Sequence, residues 1–450
     1  MRVRSIRLAA LTSIALVVSA TVLSAAQARP ESGTAGVTLT LWIMNNGPEP
    51  VSDMKRVLAP FERSSGIDVN VQLVGWDVQY QRITNAAISG EAPDVTQAGT
   101  TQVPYFAQLG GFENLASRTG TIGGRGAYAP GVWATTQLAG RSGVWSVPWF
   151  TEARTIYYRK DVYKRAGVNP KTAFKTWASF RSALLKLRTV KSVNGRPIMP
   201  FGQPGKTAWD LVHHIMPFVW GAGGSELTAN RRQSGIASPA SVRGVKYFAD
   251  LVTAGVFLKS SLEKNAPQVE EQFKGGQIAT WIGGPWVLAT ANRADDTAWV
   301  REARRNVGVA QMPVGPTGKF YTFVGGSNLM LFRTSRNKAE AWRLIQYLSR
   351  NDVQRNYARI MGMFPARLVP QAQEGKRNAN ARAFYEAIKH GRTYAPIATW
   401  GPVENAYKTR FGNILDIAAG QGRVRYSRSA VVNELRAAAR EANALLAQGG

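Results

Sequence analysis

The first stretch of the chain with a clear rhythm runs from Val37 to Leu73. Val37, Leu39 and Leu41 alternate with threonines, the two-residue period of a strand with one buried face. Met54, Val57, Leu58 and Phe61 then fall at i, i+3, i+4 and i+7, one face of a helix, and Ile67, Val69, Val71 and Leu73 alternate again. The segment predicts a β-α-β unit with parallel strands and a right-handed crossover. Pro60 falls inside the helical pattern, where its missing amide donor should bend the helix or end it early. Further on, Ser238-Pro239 offers an N-cap residue and a proline at the first helical position, ahead of an apolar face of Val245, Phe248, Ala249 and Val252. Asn337 and Glu340 have the spacing of a capping box before the stripe Ala341, Leu344, Ile345 and Leu348. Helices with one apolar face, interleaved with strands, predict an α/β fold in which helices cover sheets.

The N-terminus follows a different pattern. Arg2, Arg4 and Arg7 make a positive start, an apolar stretch follows from Leu8, and Ala26-Gln27-Ala28 supplies the small residues a signal peptidase requires. Residues 1–28 are therefore expected to be a signal peptide, with Arg29 the first mature residue. The apolar stretch approaches the length of a membrane span, so an uncleaved anchor is the competing reading; the small and hydroxyl side chains and the cleavage pattern favour removal. The roughly 420 residues that remain exceed what one hydrophobic core organises, so at least two lobes are expected. No internal repeat and no Gly/Ser-rich or Pro-rich linker separates them.

Loss of Arg2, Arg4 and Arg7 with the leader takes the formal charge from +28 to +25. That surplus favours contact with anionic walls, headgroups or polyanions and could steer an acidic ligand, although basic residues scattered over helices more often only solvate a surface. There is no cysteine, which removes disulfides, thiolate metal sites and thiol nucleophiles, and also a lipid-bearing cysteine as a membrane tether. The protein is expected in the periplasm or at the outer envelope, not lipid-anchored through cysteine.

Seven short patterns recur in one order from Val37 to about Trp400: LTLWIMNNG, GIDVNVQLVGWD, EAPDVTQ, VPWFTEARTIYYRKDVYKRAG, EQFKGGQIATWIGGPW, FVGGSNLMLF and FPARLV. Together they resemble the extracellular solute-binding proteins of carbohydrate ABC importers, of the maltose-binding type. The resemblance implies a two-lobed periplasmic-binding-protein type II fold with discontinuous lobes and a ligand cleft between them. It divides the chain into 29–152 in lobe 1, 153–300 in lobe 2, 301–350 back in lobe 1, and 351–450 as a C-terminal helical segment of lobe 2. The chain would then cross between lobes near Glu152–Thr155, near Asp295–Arg305 and again after Leu348. The implied partners are a carbohydrate ligand and the permease subunits of an ABC importer; the protein would be a monomer with no cofactor, no metal and no nucleic-acid partner.

Candidate contacts follow from residue type and from the resemblance. Trp76, Trp149, Trp220, Trp286 and Trp400 sit beside glycine or proline, where an indole can cover the C–H face of a sugar ring, although from sequence alone the core reading is favoured for each. The resemblance gives Trp286, after Gly283-Gly284-Pro285, a stacking role, and matches Trp400 to a second stacking region less closely. It makes Glu152 an acidic ligand contact, with an ion pair to Arg154 as the alternative. Asn45 and Asn46 occupy the loop leaving the first strand, where open α/β sheets place ligands; Asp77, Thr100 and Thr101 lie in loops that relatives turn toward the cleft. His213 falls, through the spacing of Pro217 to Gly223-Gly224, at an aromatic stacking position, and this departure argues against maltodextrin. One of His213 and His214 is expected to point inward. Gly325-Gly326 suits a close backbone approach, and Arg367 is a basic residue that contacts the ligand or pins the second lobe.

Catalysis is not expected. A glycoside hydrolase needs two carboxylates about 5–10 Å apart flanking the bond, and only Glu152 and Asp77 are candidates. GxSxG, HExxH and GxxxxGK[ST] are absent. Within binding proteins, the alternative to a neutral di- or oligosaccharide is a phosphorylated or uronic-acid sugar. The neutral ligand takes priority because surface charge says little about a buried cleft, and arginines reaching that cleft would reverse the order.

Overall fold

A computed structural model describes residues 36–47, 49–206, 208–289 and 298–448. The expected signal peptide and the start of the second expected crossing, residues 295–297, lie outside them. Among the described residues no helix is long and apolar enough to cross a membrane.

The strands are β1 (Thr38–Ile43), β2 (Asp68–Leu73), β3 (Val95–Gly99), β4 (Val147–Ala153), β5 (Thr155–Arg159), β6 (Ser192–Val193), β7 (Arg196–Pro197), β8 (Met199–Phe201), β9 (Ile278–Gly283), β10 (Val307–Ala310), β11 (Val324–Leu331) and β12 (Phe364–Pro365). Six of them form a sheet in the order β12-β4-β11-β3-β1-β2, four form a second in the order β10-β5-β9-β8, and β6-β7 is a small hairpin. β1 pairs in parallel with β2, Leu39 opposite Val69 and Leu41 opposite Val71, as the alternating pattern predicts. The connecting helix, Pro50–Ser65, buries Met54, Val57, Leu58 and Phe61.

Two local expectations need correction. Pro60 does not end its helix, which runs on to Ser65 and stops at Gly66 in the left-handed conformation. Burial of the apolar face on both sides of Pro60 outweighs the one hydrogen bond it deletes. Asn337 makes no side-chain cap; its own amide donates to Ser335 Oγ at 3.2 Å. Ser238 does cap as expected, accepting from the Ser241 amide at 3.2 Å.

β4 ends at Ala153 and β5 begins at Thr155, so the first passage between the two sheets is the single residue Arg154. β10, in the segment 301–350 expected to have returned to lobe 1, pairs instead with β5 in the smaller sheet, and the chain rejoins the larger sheet at β11. This passage therefore falls between Ala310 and Val324, later than the Asp295–Arg305 expected. Residues after Leu348 also stay with the larger sheet at first: Val353, Tyr357, Met361 and Ala366 pack in its core, and β12 pairs with β4. The final passage runs through Arg392, beside Phe323, and helices Trp400–Ala419 and Arg428–Gln448 then join the core of the smaller sheet. Strands alone could not show this, because a helix such as Asn351–Met361 carries the same apolar period whichever sheet it covers.

Helix Leu211–Gly221 is buried along its whole length, and both His213 and His214 lie inside. His214 has no exposed surface and neither ring nitrogen has a hydrogen-bond partner.

Two predictions follow from this packing. Pro60→Ala should return a donor to the Arg56 carbonyl and stabilise the protein by about 1–3 kcal/mol, read as a higher denaturant midpoint; an unchanged midpoint would mean the helix already relaxes around the proline. Burial, reinforced by Arg154, holds His214 well below the ordinary histidine value. The unfolded chain takes up this proton below about pH 6.5 and the folded chain does not, so the contribution to stability is present above that pH and lost as pH falls. His214→Leu should therefore raise the melting temperature more at pH 5 than at pH 8, and equal gains at both would contradict the neutral, buried assignment.

Candidate functional site

Strand direction brings one edge of each sheet face to face. β1, β2, β3 and β4 run the same way, so their C-terminal ends, with the loops after Ile43, Leu73 and Gly99, share the edge from which the chain leaves for β5. In the smaller sheet β8, β9 and β10 end at the edge where β5 begins. The loop from Phe201 to Leu211 and the turn from Gly283 to Trp286 therefore face the first set of loops. Ligands of open α/β sheets gather at such C-terminal edges.

Arg154 occupies the centre. It is 4% exposed, and its Nη2 lies 3.0 Å from Asp210 Oδ1 and 3.3 Å from Glu152 Oε1. Its Nε and Nη1 have no hydrogen-bond partner, and the guanidinium carbon sits 4.5 Å from the ring centroid of Trp286. Burial pushes the Glu152 carboxyl up to about 7, with Arg154 opposing the shift and Asp210 adding to it. The Glu152–Arg154 pair expected as the alternative role is thus formed, at the edge of the cleft itself.

Beside it stands an aromatic group drawn from both sheets. Tyr80 stacks on Trp209 at 6.0 Å and on Tyr105 at 5.0 Å. Trp400 packs on Tyr394 at 4.4 Å. Glu404, one turn beyond Trp400, is fully buried; among the described residues no donor reaches hydrogen-bonding geometry at either carboxyl oxygen, and the indole nitrogens of Trp209 and Trp400 are likewise without partners there. Burial raises the Glu404 carboxyl to about 8, while Thr101, Trp209 and Trp400, which face it, oppose the shift and Asp210 adds to it. Thr100 and Thr101 line a crevice of about 10 Å³ against Tyr394, Ala395 and Pro396, the size at which one water begins to fit. The two sides are in contact here, and the Ala139 amide donates to the Pro396 carbonyl at 2.8 Å. A larger cavity of about 170 Å³ lies on the flank, lined by Lys160, Leu288, Arg304, Phe364 and Arg377, away from these buried polar groups.

Of the sequence candidates, Thr100, Thr101, Glu152, Trp286 and Trp400 are brought together, and His213 joins them in altered form. His213 lies flat on Phe323, with centroids 3.8 Å apart and planes 4° apart. Its Nδ1 bonds the Tyr394 hydroxyl at 3.0 Å, and burial first, then Arg154 and His214, holds the ring neutral. That ring face is taken by Phe323, so it is not free for a sugar. Trp286 donates through Nε1 to Glu270 at 2.9 Å, and its ring packs so closely over Gly284 that a Cβ there would meet it at 1.7 Å. Trp76 and Asp77 are exposed on the rim, the Trp76 ring beside Gly99.

Apart from Asn45, the remaining candidates make contacts within the scaffold. Asn45 is exposed, while Asn46 is buried and bonds Gln97 at 2.6 Å and the Tyr357 hydroxyl at 3.2 Å. Trp149 stacks on Tyr357 at 4.8 Å within the core of the larger sheet. Gly325 and Gly326 belong to β11 opposite Glu152 and Thr151. Gly326 has φ +131°, and a Cβ there would lie 2.2 Å from the Phe150 carbonyl oxygen, so the close approach is strand on strand. Arg367 bonds Asn351 Oδ1 at 2.6 Å and the Ile122 carbonyl at 2.5 Å, pinning parts of the larger-sheet body to each other and not the second lobe.

Sequence reasoning did not single out Tyr80, Arg154, Trp209, Asp210, Tyr394 and Glu404 as contacts. Glu404 was the most legible of these. In Trp400, Val403, Glu404, Tyr407 and Phe411 it is the one charged residue on an apolar helical stripe. Trp209-Asp210 had only its place after the turn residues Gly202-Gln203-Pro204-Gly205 as a signal.

Comparison with known proteins agrees with this layout. The chain is 27% identical over 383 residues to the diacetylchitobiose binding protein DasA of Streptomyces coelicolor, covering 83% of each chain. It is 22% identical over 424 residues to the maltodextrin-binding protein MdxE of Bacillus subtilis, covering 90% of this chain and 91% of the other. An ABC transporter solute-binding protein of Thermotoga lettingae, solved with α-D-tagatose, superposes with a TM-score of 0.77 at 24% identity, over 91% of this chain and 100% of that one. Maltose-bound MalE3 of T. maritima superposes at 0.74 and 21% identity, over 89% and 99%. The fold is therefore the two-lobed binding-protein arrangement, with the two sheets as the centres of its lobes. Residues 46–355 match the sequence profile of the bacterial extracellular solute-binding proteins, and the chain belongs to that family.

Proposed function

We propose that the protein is the receptor of an ABC sugar importer, taking a neutral di- or oligosaccharide between its lobes and presenting the closed complex to a membrane permease. The observation that carries this reading is the concentration of buried, partnerless polar groups between aromatic rings where the sheet edges meet: Arg154 Nε and Nη1, the Glu404 oxygens, and the indole nitrogens of Trp209 and Trp400. Each is costly when dry and unbonded. Sugar hydroxyls both donate and accept, and the C–H faces of the rings suit indole and phenol surfaces. The similar proteins are named for diacetylchitobiose and maltodextrin or were solved with tagatose or maltose bound, which supports a carbohydrate.

One arginine does reach the cleft, the condition that would favour an anionic ligand. Its charge is already shared between Asp210 and Glu152, and Lys408, over the Trp209 ring, is offset by Glu404 on the same helix, so the neutral sugar keeps priority. In this reading Glu152, Arg154, Thr101, Trp209, Trp400 and Glu404 contact the ligand, Trp286 supports Arg154, and Trp76 with Asp77 extends the rim. The mature protein acts as an exported monomer without cofactor, free in the periplasm or held to the envelope by means other than a lipidated cysteine.

A thermal-shift panel of N,N′-diacetylchitobiose, maltose, maltotriose and tagatose tests the proposal. A sugar at 100 times its dissociation constant should stabilise the protein by about 2.7 kcal/mol. Trp209→Ala should weaken that sugar at least tenfold, about 1.4 kcal/mol, in calorimetry. Stabilisation by none of them, or by glucose 6-phosphate and galacturonate instead, would overturn the neutral-sugar reading.

A further inference from the structure

The smaller-sheet lobe carries its positive charge unevenly. Between Asp161 and Asp210 the chain has ten lysines and arginines and no carboxylate. Four of them, Lys186, Arg188, Lys191 and Arg196, fall within eleven residues, and all four are exposed. They occupy the end of helix Trp177–Leu187 and the β6-β7 hairpin, whose tight turn places Asn194 at φ 50° and Gly195 at φ 76°. Buried Val193 anchors the hairpin in the core of the lobe, so these cations sit on a fixed support. β8 runs toward the cleft edge, and the hairpin immediately before it therefore lies at the opposite end of that strand.

A second segment joins this pole. Arg188 Nη1 donates to the Ala254 carbonyl at 3.4 Å, at the C-terminal end of helix Pro239–Thr253. One turn earlier on that helix, Asp250 accepts from the Tyr426 hydroxyl at 2.6 Å. Tyr426 follows Arg423-Val424-Arg425, and all three of those residues are exposed. Val424, at 57% exposure, is the one exposed large apolar side chain of this lobe among the described residues. The acids of neighbouring elements are engaged elsewhere: Asp250 holds Lys246 through both oxygens at 2.8 Å, Asp161 holds Arg159, and Asp416 holds Lys206. Glu263, bonded by Gln421 at 3.0 Å, is outnumbered by the cations. Among the described residues Arg188, Lys191, Arg196, Arg423 and Arg425 take part in no ion pair.

We propose that this pole is a docking surface for the anionic headgroups of a phospholipid bilayer, holding the exported protein at the membrane by the end of the lobe remote from the cleft. A cation within a Debye length of a negative surface, about 10 Å, gains on the order of fivefold in affinity. The hairpin and the helix end are folded before contact, so little ordering entropy opposes docking. Val424 between Arg423 and Arg425 favours a bilayer over a water-soluble polyanion: an apolar side chain with a guanidinium on each side matches an interface where phosphates lie above acyl chains. Attachment of this kind is reversible and salt-dependent, and it needs no lipidated cysteine, which the chain lacks. It uses no residue of the cleft and stands apart from the sugar reading.

Co-sedimentation of the exported, mature protein with vesicles tests the proposal, one set of phosphatidylcholine alone and one containing about one-third phosphatidylglycerol. Binding is expected to the anionic set only, and it should be lost at about 0.5 M salt. Lys191→Glu/Arg196→Glu should weaken it by about tenfold or more. Lys55→Glu/Arg63→Glu makes the same change of charge at exposed positions of the larger-sheet lobe and should weaken it by less than about threefold. No binding of the wild type to anionic vesicles, equal binding to both sets, or equal loss in the two double variants would overturn the proposal. Because the chain has no cysteine, Val424→Cys takes a single environment-sensitive label, whose emission should move to shorter wavelength on the anionic vesicles. An unshifted label on vesicles that do bind the protein would overturn bilayer seating in favour of a water-soluble polyanion.

Discussion

The rest of the architecture depends on the passage of the chain through Arg154. One residue separates β4 from β5, so the two sheets cannot drift apart there, and the other passages are tied to it. The Arg154 amide donates to the Phe323 carbonyl at 3.1 Å, and Thr322 Oγ1 donates to the Arg154 carbonyl. Arg392 in turn receives the Val324 amide at 2.8 Å and gives its own amide to Thr322 at 2.9 Å. Three strands thus form a short hydrogen-bonded waist. Such a waist allows rotation through a few dihedrals while holding register, which is what hinge closure requires. The side chain of Arg154 continues the same restraint into the cleft, where Glu152 approaches from the larger-sheet side and Asp210 from the loop after β8.

That arrangement explains the chemistry of the cleft. A protein with a formal charge of +28 before leader removal keeps no cationic surplus in its binding region, because Arg154 meets Asp210 and Glu152 there and Lys408 is offset by Glu404. The strong positive charge therefore lies outside the binding region, and it does not dictate the ligand. Aromatic rings drawn from opposite lobes, such as Tyr80 and Trp209, touch only when the lobes are together. Ligand energy enters through the same contacts, since a ligand shifts an equilibrium only by its differential affinity for the closed state.

The β-α-β start, the Ser238 cap and the overall two-lobed fold were legible because they rest on local periodicity or on an ordered series of patterns spanning the mature chain. Glu152, Thr101 and Trp400 were legible as cleft residues for the same reason. The positions of the later passages were not, because a helix such as Asn351–Met361 shows which face is buried and not which sheet buries it. Trp149 illustrates the limit for single residues: a tryptophan beside a proline reads as a stacking platform, but here Tyr357, more than 200 positions away in sequence, covers its face. Asn46 fails similarly, since its partners Gln97 and Tyr357 come from other elements. Glu404 carried a readable signal, a charge on an apolar stripe; its meaning needed the unpaired carboxyl oxygens that only the packing reveals.

Closure around a neutral sugar is the claim on which the account stands, and small-angle X-ray scattering tests it directly. With the sugar that stabilises the protein, confirmed as saturating by calorimetry, the radius of gyration should fall relative to the sugar-free protein, and a non-binding sugar should leave it unchanged. Saturating binding with no contraction would contradict the account, because a ligand held between Arg154, Trp209 and Glu404 on one side and Thr101 and Tyr80 on the other cannot enter unless the lobes part and cannot be enclosed unless they meet.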